Sequence, residues 1–146
     1  LGLINFKKSK NVLVINDSKS TTINSVLEAI ASVEPYVAKD CKMIVLLGGK
    51  DKNLPWNSLQ ELNIKTKLKF VFFGEVGKSA KEQSKLEGSV FSSLSDSVLF
   101  SISNLISDND VLLLSPGGTS LDEFKSFEHR GDFFKNFSIS TMSFSN

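Results

Sequence analysis

With 146 residues, 40% of them hydrophobic and 23% charged, the chain has the make-up of one globular domain with a real core, and disorder is excluded. A net charge of +1 gives no electrostatic basis for binding nucleic acid or an anionic membrane, and the longest apolar runs, 43–47 and 111–114, are too short to span a bilayer. A lone cysteine, Cys41, excludes an intrachain disulfide, and no signal peptide follows Lys7, Lys8 and Lys10, so the expected setting is cytoplasmic.

Residues 3–6 and 12–15 are short apolar runs flanking the polar stretch 7–11, the pattern of an N-terminal hairpin. Ile23, Val26, Leu27 and Ile30 follow at the spacing of one helix face. A fully apolar strand is expected at 43–47, ending at Gly48 and Gly49. A short helix over Leu59 and Leu62 comes next, then a strand at 68–73 that stops at Gly74. A polar helix is expected from about 78 to 86, and Val98, Leu99, Ile102, Leu105 and Ile106 again show helical spacing. The last strand, 111–114, is broken by Pro116, Gly117 and Gly118, and Leu121, Phe124 and Phe127 then open an amphipathic helix. The polar tail 138–146 is expected to fray.

Strands without polar alternation must be covered on both faces, and the intervening helices can do this. The chain is therefore expected to be one α/β domain, 1–146. It should be Rossmann-like and doubly wound, with a mostly parallel sheet, helices on both faces and the hairpin at its start. In such folds ligands sit at the carboxyl ends of the strands, which marks the loops beginning at Asn16, Gly48, Gly74 and Ser115.

Gly74-Glu75-Val76-Gly77-Lys78-Ser79 ends like a phosphate loop, but the required first glycine is replaced by Phe72, so a plain strand-to-helix turn is expected. Asp17-Ser18-Lys19-Ser20-Thr21 can be read as helix capping or as an anion site with a lysine and hydroxyls, and local chemistry leaves both open. Gly48-Gly49-Lys50-Asp51-Lys52 alone reads as a solvated turn. Ser115-Pro116-Gly117-Gly118-Thr119-Ser120 is a natural anion nest. His129, the single histidine, stands among Glu128, Arg130 and Asp132 and is expected at the surface; with one cysteine no zinc cluster can form. Phe124, Phe127, Phe133, Phe134 and Phe137 are expected to be mostly core.

In order and spacing these loops resemble the C-terminal domain of the D-glutamate-adding branch of the Mur ligase family. The motifs that carry the likeness are Asn16-Asp17-Ser18-Lys19-Ser20-Thr21, Leu46-Leu47-Gly48-Gly49-Lys50-Asp51-Lys52, Phe73-Gly74, and the run from Leu114 through Gly117, Ser120 and Phe127 to Asp132. The resemblance implies an ATP-dependent ligase working through an acyl phosphate in peptidoglycan precursor synthesis. Its partners would be D-glutamate, ATP and UDP-N-acetylmuramoyl-L-alanine, with no nucleic acid or membrane partner. The phosphate loop, the Mg2+ ligands and the uridine site would lie on other domains, the central one docking here. No catalytic residue or metal ligand is then expected in this chain, which alone should be inactive; beginning at Leu1, it suggests a fragment.

Carried over by resemblance, Thr21, Lys52, Ser120, Leu121 and Phe127 would bind D-glutamate, and Asp17 and Lys19 the nucleotide. Two departures from the family pattern matter. Gly117-Gly118-Thr119 replaces the usual Ala-Cys-Ala, and Lys50-Asp51-Lys52 replaces Asp-Gly-Lys, which makes Lys50 a rival to Lys52. The alternatives are a related Mur or folylpolyglutamate-type ligase domain, or a free-standing Rossmann-like binding module.

Overall fold

A computed structural model describes residues 2–7, 11–50 and 53–144. Its elements in chain order begin with β1 (Gly2–Lys7), β2 (Asn11–Asn16), α1 (Ile23–Val33), β3 (Met43–Gly48) and a 3-10 stretch (Trp56–Ile64). They continue with β4 (Leu68–Phe73), α2 (Gly77–Ser84), β5 (Gly88–Phe91) and α3 (Leu94–Phe100), which a π-helical turn extends over Ser101–Leu105. The last two are β6 (Val111–Gly117) and α4 (Phe127–Phe144).

The strands form one sheet in the order β1-β2-β6-β3-β4-β5. Every neighbouring pair from β2 to β5 is parallel, and β1 alone runs antiparallel, Leu3 opposite Ile15. The expected fold class and N-terminal hairpin are therefore present, although the connection at 8–10 lies outside the described residues.

The apolar runs explain the layering, because successive side chains of a strand point to opposite faces. Ile15, Val45, Leu47, Phe70, Phe72 and Leu113 pack toward α1, the 3-10 stretch and α2. Val14, Ile44, Leu46, Val71, Phe73, Leu112 and Leu114 pack toward α3 and α4. All residues of β3 and β6 are buried, as befits strands covered on both sides.

Four details differ from expectation. The sheet gains an edge strand, β5, of four residues; Ser89 and Val90 are exposed, so it lacks the apolar run that marks the others. β6 continues past Leu114, because a register shift between Leu46 and Gly48 lets Gly117 pair with Gly48 around Pro116. Proline has no N–H to give a ladder and is tolerated at such a bulge. α4 starts at Phe127 rather than Leu121. It also runs to Phe144 where fraying was expected, since Ser138, Thr141 and Met142 are buried on its inner face.

Candidate functional site

The carboxyl ends of the five parallel strands meet at one edge, and the segment 117–126 after β6 bonds to every neighbouring loop. Gly117 N donates to Ser20 O (2.8 Å) and Gly118 N to Gly48 O (3.0 Å), tying in the loops after β2 and β3. Lys50 and Thr119 form an antiparallel bridge through their backbones. The Asp122 carboxylate accepts from Glu75 N (2.9 Å) in the loop after β4. The Glu123 carboxylate accepts from Leu94 N (3.1 and 3.2 Å) at the start of α3. Carboxylates suit such positions because they accept free helix amides at the positive helix end.

Glycines let these loops approach. A side chain on Gly118 would put its Cβ 2.5 Å from Gly48 O, and Gly117 has φ +81°, with the Trp56 ring 3.0 Å from where its Cβ would stand. Glycine at 117 and 118 thus has a steric reason in this chain.

Arg130, in the first turn of α4, is fully buried. Its Nε donates to Ser18 Oγ (2.9 Å), Nη2 to Ser18 O (2.8 Å) and Nη1 to Gly118 O (3.0 Å). Burial pulls its pKa down to about 10, with the Asp122 and Glu123 carboxylates opposing the shift, so the guanidinium stays charged at neutral pH. Ser18 Oγ passes the tie on by donating to Phe127 O (2.7 Å).

Residues 17–21 do not cap α1. Thr22 does, accepting from Ser25 N at 3.1 Å. Ser18 and Ser20 are turned inward, while Lys19 is exposed and Thr21 half-buried. Asp17 is buried, and its carboxylate accepts from Ser115 Oγ (3.3 Å). Burial pushes the Asp17 carboxyl above its ordinary 3.8, partly offset by the Ser115 bond and the nearby Lys19. Asp17 and Lys19 line a cleft of about 290 Å³ together with Ser20, Ser25, Glu28 and Ser32. In the loop after β4, Glu75 N is already taken by Asp122, in keeping with a plain turn rather than a phosphate cradle. Among the described residues no group of three or more histidine, cysteine or acidic side chains could hold a metal ion. No described helix is long and apolar enough to cross a membrane.

No family model matches the chain. Individual proteins do. It is 35% identical over 128 residues to a UDP-N-acetylmuramoylalanine--D-glutamate ligase of Buchnera aphidicola, an overlap of 88% of this chain and 28% of the relative. Identity is 37% over 126 residues with the ligase of that name in Chlamydia felis (85% and 28%), and 37% over 135 with that of Bdellovibrio bacteriovorus (88% and 27%). The chain belongs to the Mur ligase family. It spans 28% of the length of the first of these relatives. A solved domain from a Haemophilus ducreyi protein described as a UDP-N-acetylmuramate:L-alanyl-gamma-D-glutamyl-meso-diaminopimelate ligase superposes with a TM-score of 0.60, covering 100% of this chain and 99% of its own. At 12% identity that likeness concerns the fold alone.

Of the residues that resemblance to Mur ligases singled out, Asp17 and Lys19 share the cleft beside α1. Ser120 is buried, and Leu121 and Phe127 are exposed at 60% and 42%. Thr21 lies in the loop that Gly117 N fastens to the last strand. Lys52 lies outside the described residues, and its rival Lys50 is exposed. His129 is at the surface, its ring edge-on to Phe124. Of the phenylalanines Phe134 is fully buried and Phe124, Phe133 and Phe137 pack partly buried on the second core, while Phe127 does not. In the sequence Arg130, Asp122 and Glu123 have no assigned site role, and Ser18 only a share in the open capping-or-anion reading of 17–21. For Arg130 there was a signal: it falls on one helix face with Phe134, Ser138 and Met142, all buried.

Proposed function

We propose that this chain is the C-terminal, D-glutamate-binding domain of a cytoplasmic, ATP-dependent ligase that joins D-glutamate to UDP-N-acetylmuramoyl-L-alanine. The observation that carries the reading is the gathering of the matching loops at one sheet edge, around one buried arginine, in a chain 35% identical to a relative so named.

In this reading the alanyl carboxylate takes the terminal phosphoryl group of ATP, and the amine of D-glutamate attacks the acyl phosphate. Phosphate leaves as the amide forms. This chain would hold the nucleophile. Lys52 and Thr21 would grip carboxylates, since each buried negative charge needs donors. Ser120 would add its hydroxyl, Leu121 its amide, and Phe127 a wall that keeps water out. Thr119 Oγ1, beside Ser120, is buried without a hydrogen-bond partner, which favours a polar ligand at this loop. Asp17 has lone pairs left after accepting from Ser115, so it could take the paired hydroxyls of a ribose, with Lys19 toward the phosphates. Among the described residues no three or more histidine, cysteine or acidic side chains are grouped to hold a metal ion, and no step here runs through Mg2+.

The test is Lys52→Ala in the full-length enzyme, with Lys50→Ala beside it. Losing a charge-assisted bond to a carboxylate costs roughly 1.5–3 kcal/mol, so the D-glutamate requirement should rise by about one to two decades. The ATP requirement should move much less. An unchanged D-glutamate response in both variants would remove the lysine grip and the reading built on it.

A further inference from the structure

We infer that Arg130 is a positioning residue that fixes the loop after β2 against the loop after β6, so that the proposed nucleotide and D-glutamate contacts depend on one side chain. This rests on the proposed function for what the two sides bind, but the tie itself does not.

Arginine is rarely buried without a partner. Here it is fully buried, and among the described residues the salt bridges are Lys42–Asp110 and Lys65–Glu34, neither involving Arg130. Burying a cation carries a penalty that an apolar residue of similar size would avoid. The neighbours on the same helix face, Phe134 and Met142, show that apolar packing suits this position. The penalty is met by three charge-assisted bonds, and all three go to the two loops rather than to the core. Two of the acceptors are main-chain carbonyls, which do not depend on the side chains around them.

The tied points are close chain neighbours of the proposed ligand contacts. Asp17 and Lys19 flank Ser18, and Thr21 follows shortly after it. Ser120 and Leu121 follow Gly118 closely, and Phe127 O is itself bonded to Ser18 Oγ. A planar fork can hold Ser18 O, Ser18 Oγ and Gly118 O at once, whereas a lysine ammonium is a single point on a flexible stem. Ser18 is the joint of the arrangement, since its hydroxyl accepts from Arg130 and donates to Phe127 O.

The experiment compares Arg130→Lys and Ser18→Ala with wild type in the full-length enzyme. KM for D-glutamate and for ATP are measured, together with kcat and amide hydrogen exchange. In Arg130→Lys both KM values should rise about tenfold, the loss of roughly one charge-assisted bond, with kcat changed less. Exchange should quicken in the loops after β2 and β6 while β3 and β6 keep their protection. Ser18→Ala should reproduce part of both effects, and the double variant should fall short of their sum, because both substitutions cut the same joint. A residue serving stability alone would lower kcat through the folded fraction, quicken exchange throughout and leave both KM values in place. That result, or a rise in only one KM, overturns the inference. If the wild-type enzyme makes no use of D-glutamate, the proposed function falls, and loop exchange alone decides whether Arg130 holds the loops.

Discussion

Asp17 shows how a single buried carboxylate can work against the fold that holds it. Its pKa is raised, so the folded chain holds that proton more tightly than the unfolded one. The stability linked to this group is fully present below 3.8 and is lost as pH climbs through the raised folded value. Asp17→Asn removes the ionised form yet keeps an acceptor for Ser115 Oγ. Thermal melting from acid to neutral pH should therefore find the variant at least as stable as wild type at neutral pH, without the part of the decline that Asp17 causes. Nucleotide use should suffer at the same time. A variant less stable than wild type at neutral pH would show that the charge contributes to the fold. The residue itself was legible in the sequence, since a carboxylate right after an apolar strand stands where α/β folds place ligands. Its partner Ser115 is far away in the chain, and only folding brings the two together.

At the scale of elements, long apolar runs were legible and short polar ones were not. Burial on both faces leaves β3, β4 and β6 almost no polar residue, whereas the edge strand β5 is marked by little more than Val90 and Phe91. The start of α4 was misplaced for a different reason. Leu121, Phe124 and Phe127 have near-helical spacing, but Asp122 and Glu123 are occupied in bonding neighbouring loops, and the helix begins after them. The glycine pair ahead of that segment should be unforgiving. Gly118→Ala sets a methyl against Gly48 O, a backbone atom that cannot turn aside. Such overpacking costs typically 1–3 kcal/mol, and for a domain of this size should lower Tm by several degrees. Calorimetry checks this; an unchanged Tm would show that the loops can separate without loss.

Across the whole molecule, the strand order places β6 between β2 and β3, so the chain leaves β2 over one face and reaches β6 over the other. That arrangement opens a crevice where connections diverge, and the loops after β2, β3 and β6 border it. Both cores are closed by the chain's own elements, the mark of a unit able to fold alone. The alternation of elements made this architecture legible, but the convergence on Arg130 was not, because it depends on main-chain carbonyls that no side-chain pattern announces. The central claim is that this edge receives D-glutamate. The most direct measurement is a titration of the 15N-labelled chain with D-glutamate, L-glutamate and diaminopimelate, followed by amide chemical shifts. Binding should be weak, on the order of millimolar, because under the proposed function the cleft would close against a further domain and this chain alone would enclose only part of its ligand. D-Glutamate should move the amides of Thr21, Ser120, Leu121 and Phe127, and the other two ligands should leave them in place. Shifts that are equal for both enantiomers, or that gather away from these loops, would contradict the account.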